Sequence, residues 1–397
     1  MAVEDNIEVS QEEMDAAEPV DVQITDETVE QEQVQEEAQD FYVNLAEGMD
    51  ERILTGMANE LLADYKKDKE SRSDWEKSYT SGLDLLGFKY NNENGPFQGA
   101  SSVTHPMLAE SVTQFQAQAY KELLPSDGPV STKVVGSLTP EKEAQAQRVE
   151  EFMNYMITEK MEEYTPEFDQ LLFYLPLAGS AFKKVYFDDV MQRAVSKFVP
   201  AEDLVVPYYA TDLKDCERIT HLVRMSENDI LKKQQIGFYR DVDILPSRME
   251  DNELQDKYNE LSGQSRSGDA EGDYQFNVLE MHVDLDLIDP ENKSDEKNIK
   301  IPYIVTLDEG SREILSIYRN FDPDDPLLKR KEFFVHYKFL PGLGFYGFGL
   351  IHMIGGLSKT ATASLRQLLD AGTLANLPAG FKTRGMRIRD DDQPFQP

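Results

Sequence analysis

The stretch PGLGFYGFG, residues 341–349, runs straight into LIHMIGGLSKTATASLRQLLDAGTLAN, residues 350–376. No other part of the chain limits the fold as much. After the proline and the glycines, Leu350, Ile354, Leu357, Ala361, Leu365 and Leu368 recur at steps of four, three, four, four and three. That spacing predicts one long helix with an apolar seam, a surface suited to a second helix. At ~1.5 Å per residue the helix reaches about 40 Å, enough to cross a domain or leave it.

The glycines carry a second reading. Gly342, Gly344 and Gly347 match the GxGxxG dinucleotide fingerprint, after an expected strand and before a helix, with Asp370 further on as the ribose acid. The fingerprint also needs a second parallel strand ending at that acid, and 350–369 is helical throughout. Leu343, Phe345 and Tyr346 would crowd a pyrophosphate. A structural strand-to-helix corner is the preferred reading, and no cofactor is expected.

Charge divides the chain. The net charge is −35, and residues 1–50 hold 17 acidic and no basic side chains. Such a segment repels itself and buries too little apolar surface to offset its ordering entropy. Residues 1–45 are therefore expected to be a disordered acidic tail, a solvated spacer or a docking tail for a basic partner. The single cysteine, Cys216, permits neither an intramolecular disulfide nor a cysteine-based zinc site. No run of 18 apolar residues exists, and the first residues lack the basic and apolar regions of a secretory signal.

Along the chain, 51–86 reads as helix through Ile53, Met57, Leu61 and Tyr65, and Pro106–Leu124 through Leu108, Val112, Phe115, Ala119 and Leu123. Thr139-Pro140-Glu141 and Thr165-Pro166-Glu167 each place a hydroxyl cap before a proline and an acid, so helices are expected to start there, running to about Glu163 and Leu175. AFKKVYFD and RAVSKFVP read as strands around the turn DDVMQ. A strand and then a helix from Ser226 are expected in 217–235, and a loop over 245–273. The clearest strand is 278–287, where Leu279, Met281, Val283, Leu285 and Leu287 alternate with Glu280, His282, Asp284 and Asp286. Strands at 301–307, 313–319 and 332–340 would complete one small antiparallel unit. The fold class is α+β.

Other groups are weak candidates for sites. His105, His221, His282, His336 and His352 show no ligand spacing, and Cys216 lies five residues from His221 with no third group to orient them. Asp284, Asp286, Asp289 and Glu291 are rich enough for calcium, but Ile288 breaks the EF-hand pattern, so a solvated strand face and turn is expected. Lys382, Arg384, Arg387 and Arg389 cluster within an acidic chain, either as a contact for nucleic acid or an acidic partner, or as a face paired with Asp390, Asp391 and Asp392.

Four runs carry a wider likeness: PFQGASSVTHPMLAESVTQFQAQAYKELLPSDGPV, LPLAGSAFKKVYFD, VPAEDLVVPYYATDLKDCERITHLVRMSENDI and GFGLIHMIGGLSKTATASLRQLLDAGTLANLPAGFK. From about Gln98 onward the chain resembles a tailed-bacteriophage portal protein of the large, short-tailed-phage type. The resemblance covers about three-quarters of the chain and is general rather than a short motif. It implies a homo-oligomeric ring, usually of twelve subunits, at one capsid vertex. Double-stranded DNA would pass through its channel without sequence readout. A terminase large subunit would dock on it, later replaced by tail or adaptor proteins, and major capsid and scaffolding proteins would surround it. It implies no covalent chemistry, assembly in the host cytoplasm and residence in the virion.

By the same resemblance, 46–340 is an α/β wing, 341–376 the glycine corner and first stem helix, and 377–397 the start of the clip. Leu350, Ile354, Leu357, Ala361, Leu365 and Leu368 become candidate subunit contacts, and Lys382, Arg384, Arg387 and Arg389 a candidate terminase- or DNA-facing clip. The chain is then expected to be the first part of a longer portal protein, because a strand-like 382–389 and a lone stem helix end without partners. The alternatives are a nucleotide-dependent oxidoreductase built around 333–370 and a monomeric acidic adaptor.

Overall fold

At Gly179 helical spacing gives way to alternation, and the chain passes there from a helical half to a β-rich half. The computed structural model describes residues 41–88, 100–126, 128–188, 191–245, 253–264, 275–287 and 299–376. Residues 1–43 and 44–397 are separate units, and both sheets and their cores belong to the second. The expected tail lies outside the described residues as far as residue 40, but its boundary at 45 needs correction. Asn44 is 4% exposed. Its amide donates to Leu315 O at 3.2 Å, and its Oδ1 accepts from Ile317 N at 3.0 Å and Ala46 N at 3.1 Å. Asn44 thus closes the outer edge of a strand 271 residues later. Asn44→Ala should lower unfolding free energy by about 1–3 kcal/mol, since it strands the buried Ile317 N–H; chemical denaturation checks this.

Helix α1 (Glu51–Ser71) is capped by Asp50, whose side chain accepts from Arg52 N. It buries Leu54, Ala58, Leu61, Leu62 and Tyr65. Of the expected stripe, Leu61 and Tyr65 are buried, but Ile53 points to solvent and Leu54 takes the inward place. The chain does not continue as helix to residue 86. It breaks at Arg72 and resumes as α2 (Ser73–Leu83). The cause is the Arg72 guanidinium, drawn inward to the carbonyl oxygens of Ala201 at 2.9 Å and Leu204 at 2.8 Å. Helix α3 (Met107–Leu123) buries Leu108, Ala109 and Val112. Helix α4 (Pro140–Tyr155) starts as expected, with Thr139 accepting from Lys142 N and Pro140 at its head, but ends in a π turn over Met156–Lys160.

Helix α5 (Tyr164–Ala178) begins one residue before its expected cap, with Glu163 in that place. The acids of its first turn are used elsewhere. Glu167 accepts from Phe198 N at 2.6 Å, and Glu163 accepts from Ser196 N and from Arg193 at 2.7 Å. Both N–H groups lie on the outer edge of β2, the strand Arg193–Pro200, so this turn seals a strand edge instead of its own helix.

Two antiparallel sheets follow. Strands β1 (Ser180–Asp188) and β2 form the expected hairpin, with Asp188 opposite Arg193. Strands β3 (Leu204–Val205), β4 (Arg218–Ser226), β5 (Gln275–Leu285), β6 (Ile301–Asp308) and β7 (Ile314–Arg319) form a five-stranded sheet in chain order. Strand β8 (Phe334–Lys338) leaves them and pairs with the free side of β1, giving the order β2-β1-β8. The single β-unit expected from 301–340 is therefore two sheets, since local alternation does not specify a partner. Helix α6 (Glu227–Gln235) starts at Ser226 as read. The expected loop at 245–273 holds helix α7 (Glu253–Ser262), with Leu254 buried. One core lies among α2, α3, α5 and the β1 sheet, another between α1 and the five-stranded sheet. Helix α8 (Leu350–Asn376) has the expected bounds.

Candidate functional site at the long helix

Three glycines bring the root of α8 into backbone contact with the end of α5. Gly179, at φ +88°, ends α5 with its N–H on Leu175 O and accepts from Phe339 N. A Cβ there would lie 2.4 Å from Gly347 O and 2.5 Å from Gly349 N, and one on Gly349 would lie 2.4 Å from Leu177 O. Several other loop groups turn inward, although Leu343 is fully exposed. Gly347 N donates to Ser180 Oγ at 2.8 Å, and Gly349 N to His352 Nδ1 at 3.1 Å. Phe345 stacks on Phe182 and lies 4.7 Å from the His336 ring, while Tyr346 stacks on Trp75 at 4.8 Å. Gly344 faces open space. The fingerprint glycines thus form a corner whose N–H groups at 347 and 349 are spent on the fold, and Asp370 accepts from Ser101 N at 2.7 Å.

Beyond its root, α8 is held along one side. Ile351 fills the notch left by Gly82, where a Cβ would meet it at 2.3 Å. Ile351, Gly355, Ser358 and Thr362 form the buried face. The extended segment 101–105 runs beside it: Thr362 Oγ1 accepts from His105 N at 3.0 Å, and Arg366 donates to Val103 O at 2.7 Å. The inward face is therefore small and polar, made by close approach and hydrogen bonds.

The predicted seam lies about a quarter-turn away at ~100° per residue. Leu350, Ile354, Ala361 and Leu365 are half-buried along its margin. Leu357 is 64% and Leu368 71% exposed, and Met353, also exposed, extends the stripe. Sequence reasoning found the seam but missed the buried face, whose Gly, Ser and Thr give no apolar signal. It also missed Met353, which lies outside the chosen register. Lys382, Arg384, Arg387 and Arg389 lie outside the described residues.

His105 meets α8 through its backbone N–H and His352 accepts at the helix root, while the other three histidines stand apart from this face. His221 and His336 are half-buried, and their loss of solvent pushes each down to about 3. The Cys216 thiol donates to Arg218 O at 2.8 Å, and burial pushes it up to about 11. Asp286 is exposed and Asp284 half-buried on the expected solvated face of β5, but His282 on the same face is not solvated. It is 1% exposed and meets Glu280 at 2.9 Å, because β1 packs across that face. Lys184 of β1 donates to Glu280 at 2.5 Å. Burial raises Glu280, but Lys184 and then His282 overcome this and hold it well below its usual range. Its stabilising contribution is present above the ordinary carboxyl range and is lost as acid protonates it. Lys184→Met, which removes this carboxylate's ammonium partner and leaves His282 beside it, should cost about 3 kcal/mol at neutral pH; denaturation at pH 7 measures it. Among the described residues, no group of three or more His, Cys, Asp or Glu could hold a metal ion. Of the calcium candidates, Asp289 and Glu291 lie outside the described residues.

Comparison with protein-family models and with curated proteins found no match. Among the described residues, no helix is long and apolar enough to cross a membrane.

Proposed function

We propose that this chain is a subunit of a portal-type ring of a tailed bacteriophage, with residues 46–340 as its wing and α8 as its stem helix. One observation carries the reading. Helix α8 is fixed along one side by its own body while Met353, Leu357 and Leu368 stay exposed on another. An apolar stripe on a rigid, long helix suits packing beside a neighbouring copy. Closed rings need two dissimilar surfaces per subunit. Helix α4 supplies a second one, for it buries no side chain and exposes Val149, Phe152 and Met153.

The acidic composition suits a channel for double-stranded DNA. Each phosphate neutralised by Lys or Arg adds salt-dependent affinity, and several such contacts would trap a duplex that must slide. Terminase, tail or adaptor proteins and the capsid shell are the partners this reading requires. A photo-crosslinking residue at position 357 tests it. Covalent products should climb beyond the dimer in a ladder, as a heterologous contact requires. Products that stop at the dimer, or none at micromolar concentration, would overturn the reading.

A further inference from the structure

Away from α8, one carboxyl group is half-buried, turned toward the body without a cation of its own. Glu202 lies in the turn between β2 and β3. Its Oε1 accepts from Tyr258 of α7 at 2.9 Å, and its Oε2 bonds the Tyr174 hydroxyl of α5. Tyr258 also meets Tyr79 of α2 at 3.0 Å. The nearby charges are committed elsewhere. Arg72, at the α1–α2 junction, serves the backbone carbonyls of Ala201, Glu202 and Leu204, the Glu76 carboxylate and the Tyr346 hydroxyl. Arg224 of β4 pairs with Asp203 at 2.9 Å. Asp203 adds a like charge beside Glu202, and Tyr65 of α1 lies within its reach.

Helix α7 covers this carboxyl through the Tyr258 hydroxyl. It has ten residues and one buried side chain, Leu254, with Tyr258 and Leu261 packed half-buried against the core. Its polar ties to the body include the Tyr258 hydroxyl and Lys257, which pairs with Asp84 at 2.5 Å and, within the helix, with Glu260 at 2.9 Å. Asp84 is largely exposed, so that bridge adds little. We propose that α7 is a proton-operated strap: it lies closed over Glu202 while that carboxyl is protonated and lifts when the carboxyl ionises.

The reason is solvation. A neutral carboxyl can donate to one phenol and accept from another, which satisfies it without charge. An ionised one in the same place has lost water and gained no cation, and lifting a ten-residue helix restores the water. Burial first, and Asp203 second, push Glu202 up to about 7. A carboxyl raised in the closed form stabilises that form at low pH, and the benefit is lost as pH rises from the ordinary carboxyl range to about 7.

Hydrogen exchange of α7 peptides between pH 5 and pH 8, corrected for intrinsic rates, tests this in the full chain. Opening should rise about tenfold per pH unit up to near pH 7 and then level off. Peptides from β5 should show no such slope. Glu202→Gln, which cannot ionise, should abolish the slope. Tyr258→Phe, which keeps the carboxyl, should raise opening and keep the slope. A flat wild-type profile, a slope that survives Glu202→Gln, or one lost in Tyr258→Phe would overturn the strap.

Discussion

Gly179→Ala is expected to destabilise the protein by about 4 kcal/mol or more, whereas Gly344→Ala, in the same fingerprint run as Gly347, should stay within about 0.5 kcal/mol. The two sites differ in space and in backbone. At Gly179 a methyl group would stand 2.4–2.6 Å from the backbone of residues 347–349, and φ is +88°. Main-chain atoms cannot rotate aside, so α5 and the root of α8 must separate, and the left-handed conformation adds about 1–2 kcal/mol. At Gly344 nothing lies within 4 Å. A loss of this size is a large share of a typical domain's stability, so the Gly179 variant should show a much lower denaturation midpoint or a poor soluble yield. Equal midpoints for the two variants would show that the corner yields more easily than its geometry implies.

The double variant Leu357→Asp, Leu368→Asp should separate folding from assembly. Both side chains are mostly exposed in the single chain, so unfolding free energy should change by less than about 1 kcal/mol. At a subunit contact each aspartate would be a buried, unpaired charge costing about 3 kcal/mol or more, weakening association at least about a hundredfold. Mass photometry at fixed concentration reads the outcome: assemblies for the parent protein, monomers of unchanged melting temperature for the variant. Normal assembly by the variant would mean that copies meet elsewhere. Leu365 is a poorer probe, because it is half-buried and its replacement would disturb the body as well.

The parts of the fold legible in the sequence were those set by short-range chemistry. The β1–β2 pairing, the Thr139-Pro140 start, the Ser226 cap and the bounds of α8 all depend on residues within a few positions of one another. The misreadings came from distant competition. Arg72 breaks a helical run because carbonyl groups 129 and 132 residues away accept from it. Glu163 and Glu167 serve β2 instead of the helix they begin. Strand β8 pairs with β1 because that strand has a free side, which no local pattern records. At the long helix, the seam was legible because leucine spacing is loud. The face that docks on the body was not, because it is written in Gly82, Gly355, Ser358 and Thr362.

The sealing of strand edges has a consequence for how copies can meet. The outer N–H groups of β2 are taken by two carboxylates, and the outer edge of β7 is held by the Asn44 amide and by Arg240 N, which donates to Leu315 O at 2.8 Å. Open strand margins are templates for indiscriminate stacking of chains. With these two margins occupied, backbone ladders there cannot be extended by a neighbour while the fold is intact. In the proposed ring these two margins contribute no backbone ladder, and side-chain relief on helices such as α8 can discriminate register and direction where a bare ladder cannot. The Glu163 part of the lock on β2 is ionic: burial raises its carboxyl, but Arg193 and the backbone N–H groups overcome this and hold it below its usual range, so strong acid would release it by protonation.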